Sequence, residues 1–145
     1  MAGEKQSGFT TLEKLNINII SSQAIYYKNF AITKDSYACD SDWDAVVQQI
    51  FGNEYRVADW NDLKAYYSST GNILELLDGL GMTNYKDNAF VTCNGQRIWS
   101  SGRYYFIERH NHNLPSYFLA HDNIDNYAVS LDSWNITTKI LAIRK

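Results

Sequence analysis

Proline, cysteine and long hydrophobic runs are all scarce in this sequence of 145 residues. Pro115 is the only proline and no low-complexity run occurs, so the composition and length are those of one globular domain. No apolar stretch approaches the roughly 20 residues that a membrane-spanning helix needs, which argues against membrane insertion. The N-terminal segment MAGEKQSGF is too polar for a signal peptide.

Cysteine and positive charge are limited as well. Cys39 and Cys93 are too few for a disulfide scaffold, and neither lies in a Cys-x-x-Cys metal or redox motif. Two half-buried thiols are the favoured interpretation, with a single disulfide as the alternative. The net charge of −3 and the pI of about 5.5 argue against a general nucleic-acid binder, which carries a basic stripe at high pI.

Aromatic residues are plentiful by contrast: eleven Tyr, six Phe and four Trp. Such rings supply large contact areas, and Tyr and Trp also carry a polar group. They suit a rigid core and a binding face equally well, so the aromatic content alone does not separate these roles.

The first part of the chain, residues 1–37, is predicted to be a tail with extended strands. LNINII alternates apolar residues with Asn, as a half-buried strand does. AIYYKNFAIT is a second strand candidate, rich in aromatic and β-branched residues. Residues 38–145 are predicted to form a single α+β domain.

The middle third is predicted to be helical. SDWDAVVQQIF has one apolar helical face, with Ser41 as the expected N-cap and Gly52 at the end of the helix. NILELLDGLG carries a second apolar face formed by Ile73, Leu76, Leu77 and Leu80.

Trp60-Asn61-Asp62 is a tripeptide that marks a calcium-binding strand in sugar-binding C-type lectins, but here it is predicted to begin a helix. Asp59 is a suitable N-cap and Asp62 stands at N3, where a carboxylate completes a capping box. Calcium takes six to eight oxygen ligands, and this segment does not supply them. We therefore expect no calcium site there.

From Ala89 onward the pattern is that of β-strands: AFVT, QRIWSS, RYYFIE, SYFLAH, NYAVSL and TKILAIR. Within KILAI, the four residues ILAI are continuously apolar, which suits a central strand. Helices in the middle third followed by strands predict an α+β fold, with an antiparallel sheet after the helices.

Part of the chain resembles a known family. WDAVVQQIFGNEYRVADWNDLKAYY is similar to the helix, short strand and second helix of the prokaryotic branch of C-type-lectin-like domains, with Tyr55-Arg56-Val57 as the strand. IWSSGRYYF and the terminal ILAIRK resemble the Trp-Ser-Ser strand and the last strand of that branch, so the resemblance covers about residues 38–145. Ala58 and Ala142 replace an expected Pro and Cys.

The resemblance implies a C-type-lectin-like topology more than an activity, because one fold serves many functions. The branch includes formylglycine-generating enzymes, retroelement-diversified receptor-binding proteins and bacterial adhesins. Cys39 and Cys93 do not match the paired cysteines of the enzymes, so we expect no enzymatic activity and no cofactor. A secreted or surface-exposed location follows if the resemblance holds.

The segment ERHNHNLPSYFLAHD contains all three histidines. His110, His112 and His121 are the candidate metal ligands, because an extended chain projects His110 and His112 to one face. The many Asn residues and the single Pro favour a solvated loop instead, and no metal site is assigned.

The strongest candidate for a ligand surface lies between Arg97 and Trp134. Arginine and aromatic residues are interleaved there, and both are enriched at binding hot spots, although some of these rings are expected in the core. We predict a non-enzymatic module that binds a glycan or a protein without calcium. The alternative is a structural subunit that forms a homo-oligomer through an aromatic face. The predicted ligand-binding residues are Arg97, Trp99, Arg103, Tyr105, Arg109, Tyr117 and Trp134.

Overall fold

The computed structural model describes residues 23–85, 87–96, 104–109, 129–131 and 137–145. Within these ranges the chain is mixed α+β, as predicted. The helices are α1 (Trp43–Phe51), α2 (Trp60–Thr70) and α3 (Ile73–Gly79). The strands are β1 (Ala24–Tyr27), β2 (Phe30–Thr33), β3 (Tyr37–Ala38), β4 (Tyr55–Val57), β5 (Asn88–Phe90), β6 (Tyr104–Glu108), β7 (Val129–Leu131) and β8 (Thr137–Arg144).

Strand β8 is the centre of the sheet. Its Ala142 lies opposite Ala31 of β2 on one edge and opposite Val57 of β4 on the other. The strand order is β1-β2-β8-β5-β6-β7, and β3 and β4 also pair with β8. The sheet differs from the predicted antiparallel one because β5 runs parallel to β8, and because β1–β4 come before or between the helices. Hydrophobic patterns identify strands without identifying their partners.

The segment predicted as one strand, AIYYKNFAIT, is a hairpin. Strands β1 and β2 pair antiparallel, with Tyr27 opposite Phe30 and the loop at Lys28 and Asn29. Lys28 has φ 54°, a left-handed conformation that residues other than glycine rarely adopt. Because a lysine and not a glycine occupies this position, the sequence gives no sign of the turn. Strand β3 spans the predicted boundary after residue 37, and residues 24–38 belong to the same sheet as the rest. LNINII, SYFLAH and most of QRIWSS lie outside the described residues.

Two hydrophobic cores lie on opposite faces of the sheet. In β8, Leu141 and Ile143 belong to the core formed with α2 and α3, whereas Ile140 and Ala142 belong to the core formed with α1. Burial on both faces explains why the run ILAI, from Ile140 to Ile143, is continuously apolar. In the α1 core, the rings of Trp43 and Phe90 stack with centroids 4.5 Å apart.

The helix starts follow local chemistry. In α2, Asp59 and Asp62 form the predicted capping box, so the Trp60-Asn61-Asp62 segment is confirmed as helical. In α1 the predicted N-cap is wrong by one residue. The carboxylate of Asp42 accepts the cap hydrogen bond, while Ser41 donates its hydroxyl to the carbonyl of Ala38 at 2.6 Å.

The two cysteines remain thiols, as favoured by the sequence. Cys39 is buried in the α1 core, Cys93 is half-buried at the margin of the other core, and no disulfide joins them. Among the described helices, none has the length and apolar character required to cross a bilayer.

Candidate functional site

Most of the predicted ligand surface lies outside the described residues. This applies to Arg97, Trp99, Arg103, Tyr117 and Trp134, and to the histidines His110, His112 and His121. Tyr105 lies on β6, in the register that pairs this strand with β7. These residues therefore stay predictions.

Arg109 follows β6 and is engaged by neighbouring parts of the chain. Its guanidinium contacts the carboxylate of Asp78 at the end of α3 and lies 3.5 Å from the carbonyl of Met82. Its backbone N–H donates to the carbonyl of Asp87 at 2.7 Å. The side chain is only 17% exposed, and these contacts connect β6 to α3.

A different surface combines aromatic and charged side chains. We call it the tyrosine groove, an open depression of about 740 Å³ at the end of β8. It lies where the β1–β2 hairpin, the end of α1, the start of β4 and the end of β8 meet. Its lining residues are Tyr26, Lys28, Phe51, Gly52, Asn53, Glu54, Tyr55 and Arg144.

Backbone pairing brings these distant residues together. Tyr55 lies opposite Arg144 in the β4–β8 register. The N–H of Arg144 donates to the carbonyl of Asn29 in the hairpin loop at 2.8 Å, and the N–H of Lys145 donates to the carbonyl of Glu54 at 2.7 Å. The end of β8 thus joins the hairpin to the turn after α1.

Three aromatic rings form the wall of the groove. The centroid of Tyr26 is 5.9 Å from that of Phe51 and 6.1 Å from that of Tyr55, in edge-to-face arrangements. Phe51 and Tyr55 are themselves 5.6 Å apart. Both of these are buried, whereas Tyr26 remains 45% exposed, so part of its aromatic side chain is accessible.

Arg144 is the cation at this wall. Its guanidinium lies 5.2 Å from the ring centroid of Tyr55, a cation–π distance. It donates to the carboxylate of Glu54 at 2.7 Å and to the hydroxyl of Tyr55 at 3.3 Å. The pKa of Tyr26 is raised, chiefly by burial and then by the neighbouring Tyr55, and Arg144 partly opposes the shift.

A second polar group of residues borders the groove at Lys28. The Lys28 ammonium donates to the hydroxyl of Tyr66 at 3.2 Å, and that hydroxyl donates to the carboxylate of Glu75 at 2.8 Å. The hydrogen bond from Tyr66 is the main cause that lowers the pKa of Glu75, and Lys28 acts in the same direction. The pKa of Lys28 is raised, first by its bond to Tyr66.

An acidic cleft of about 390 Å³ is the other candidate. Asp40, Asp42 and Asp44 line it, together with Thr92 and Gly95. The carboxylate of Asp42 already caps α1. Across the described ranges, no group of three His, Cys, Asp or Glu side chains is placed to hold a metal ion, so we do not interpret this cleft as a metal site.

The sequence patterns missed the tyrosine groove. Tyr26 appeared only as part of a strand, and Tyr55 and Arg144 only as parts of family-like strands. Glu54 and Arg144 are 90 positions apart, so no local sequence pattern could predict their contact. An aromatic pair next to a hairpin loop was the only local signal.

Comparison with known proteins identifies no relative: no family model, no curated protein and no solved structure matches this chain.

Proposed function

We propose that this protein is a non-enzymatic binding module that recognises a glycan or protein ligand without calcium, and that the tyrosine groove is a contact surface. One observation carries the proposal: the exposed Tyr26 and the guanidinium of Arg144 line the same open groove. Aromatic residues and arginine are the types most enriched at binding hot spots. Their side chains can contact a ligand directly, so recognition there needs no bridging cation.

A C-type-lectin-like fold is part of the same proposal. Two features support it: α1, β4 and α2 follow one another with Tyr55-Arg56-Val57 as the short strand, and the last strand, β8, ends at Arg144. A secreted or surface-exposed location follows from this family. The loops and strands between Arg97 and Trp134 remain a second proposed surface.

A glycan-array and surface-binding screen, run with and without EDTA, tests the proposal. We expect binding that EDTA does not affect and that Tyr26→Ala weakens by about tenfold or more, as expected for loss of a hot-spot ring. Tyr85→Ala is the matched control, because Tyr85 is 52% exposed and does not line the groove.

Other results redirect the assignment. Binding that EDTA abolishes contradicts calcium-free recognition and turns attention to His110, His112 and His121. Binding that survives Tyr26→Ala but fails with Arg103→Ala and Tyr105→Ala moves the site to the second surface. A stable oligomer by light scattering, with no ligand bound, favours the self-associating subunit.

A further inference from the structure

The ion pair between Arg144 and Glu54 is arranged so that another carboxylate can replace Glu54. The Glu54 side chain is 77% exposed and lies on the turn after α1, and a single 2.7 Å contact joins it to Arg144. Exposed ion pairs of this kind contribute little to stability, so exchange of the partner costs little.

Arg144 itself is better held than its partner. The guanidinium lies over the ring of Tyr55, 5.2 Å from its centroid, and the hydroxyl of Tyr55 accepts from its Nη2 atom. The backbone is fixed by pairing with β4 and by the bond to Asn29. The side chain nevertheless stays 52% exposed, and a guanidinium has five N–H donors, so it can offer a fork to an incoming carboxylate.

We propose that the tyrosine groove binds a saccharide that carries one carboxylate, such as a sialic acid or a uronic acid. The carboxylate takes the place of Glu54 on Arg144, and the sugar ring packs against Tyr26. This inference rests on the proposed binding function and names the ligand class.

The surroundings of Arg144 suit a sugar. The groove volume of about 740 Å³ lies within the range of roughly 300–1,000 Å³ that is common for small-ligand sites. The C–H face of a pyranose packs against the electron-rich face of an aromatic ring. Asn53 uses its amide oxygen to accept from Gln48 at 2.6 Å, which leaves its NH₂ group to donate to sugar hydroxyls.

The charge of the groove favours a single acidic group over a polyanion. Among the described residues, Arg144 and Lys28 are the cations that line it, and Lys28 already lies 3.4 Å from Glu75. The whole chain has a net charge of −3, which repels a densely sulfated chain or a nucleic acid. One guanidinium therefore matches one carboxylate.

Titrations followed by NMR compare acidic and neutral sugars that differ only at the carboxylate: sialyllactose with its methyl ester, and methyl glucuronide with methyl glucoside. We expect the acidic member of at least one pair to bind about tenfold more tightly, and which pair responds distinguishes sialic from uronic acid. Arg144→Gln should remove this preference. Arg144→Lys should retain only part of it, because lysine lacks the planar fork.

Glu54→Gln gives the sharpest test, because it removes the competing carboxylate. Affinity for the acidic sugar should rise by roughly twofold to fivefold, while affinity for the neutral sugar should not change. Arg56→Gln is the matched control: it changes the net charge as Arg144→Gln does, but Arg56 pairs with Asp62 and does not line the groove.

Equal affinity for acidic and neutral sugars overturns the carboxylate proposal, yet the binding function stands if Tyr26→Ala weakens both. No gain in Glu54→Gln also overturns it. Binding of an acidic peptide in place of the sugars overturns the saccharide assignment while retaining the groove. If no ligand in these titrations or in the screen depends on Tyr26, the proposed use of the groove fails as well.

Discussion

At the residue scale, Glu75 shows how a neighbour controls an exposed carboxylate. Its carboxylate accepts from the Tyr66 hydroxyl at 2.8 Å and from the Lys28 ammonium at 3.4 Å. Both contacts favour the ionised form, and the bond to Tyr66 has the larger effect on its pKa. The three residues come from the hairpin loop, α2 and α3. The pKa of Glu75 therefore depends on how these three elements pack together.

We predict that Tyr66→Phe raises the pKa of Glu75 towards its ordinary value of 4.5, as measured by NMR titration. Because the folded-state pKa is lowered, Glu75 stabilises the fold above pH 4.5, and this contribution is lost as the pH falls through the folded-state pKa. The difference in the free energy of unfolding between the wild type and Tyr66→Phe should therefore shrink on acidification.

Tyr67→Phe serves as the control, because it removes the neighbouring hydroxyl and leaves the Tyr66–Glu75 bond in place. An unchanged Glu75 pKa in Tyr66→Phe would show that the hydrogen bond does not form in solution.

At the element scale, α3 packs directly on the β1–β2 hairpin through a glycine. A Cβ atom placed on Gly79 would lie 2.2 Å from the ring of Tyr27, too close for any real contact. Tyr27 lies opposite Phe30 in the hairpin, and its side chain packs at the margin of the α2–α3 core. Gly79 is thus needed for close approach rather than for a special backbone conformation.

We predict that Gly79→Ala lowers the free energy of unfolding by about 1–3 kcal/mol, the usual cost of overpacking. Denaturant titration measures this change. In a Tyr27→Ala background the same substitution should cost nothing or stabilise slightly, because Ala has a higher helix propensity than Gly. Equal costs in both backgrounds would rule out the ring contact as the cause.

At the scale of the whole molecule, β8 holds the two cores together. It pairs with β2, β3, β4 and β5, and its alternating residues enter the α1 core and the α2–α3 core. Strand β1, in contrast, pairs only with β2 among the described strands. Opening β8 therefore disrupts most of the sheet, whereas opening β1 disrupts one edge.

We predict that native-state hydrogen exchange ranks the amides accordingly. The hydrogen-bonded amides at Leu141 to Ile143 should exchange only through global unfolding, and those of β1 should exchange faster through local opening. Equal protection of both strands would show that the hairpin and the centre of the sheet open as one unit. Exchange in dilute denaturant, followed by NMR, distinguishes these cases.

The sequence alone determined those features whose causes are local. The capping box of Asp59 and Asp62 lies within four consecutive residues, and the apolar face of α3 repeats with the helical period, so both were predictable. The central position of β8 was also indicated, because a strand buried on both faces must be continuously apolar. The sequence did not distinguish Asp42 from Ser41 as the N-cap of α1, because both are suitable capping residues and they are adjacent.

Only the tertiary structure decided the rest. The hairpin depends on a left-handed conformation at Lys28, where the sequence has no glycine to indicate a turn. The parallel pairing of β5 with β8 depends on which strands become neighbours in the sheet. The tyrosine groove needs Tyr26, Glu54 and Arg144 to converge from elements far apart in the chain. Local patterns record what one segment requires of its own environment, whereas a site assembled by long-range pairing exists only after the sheet has formed.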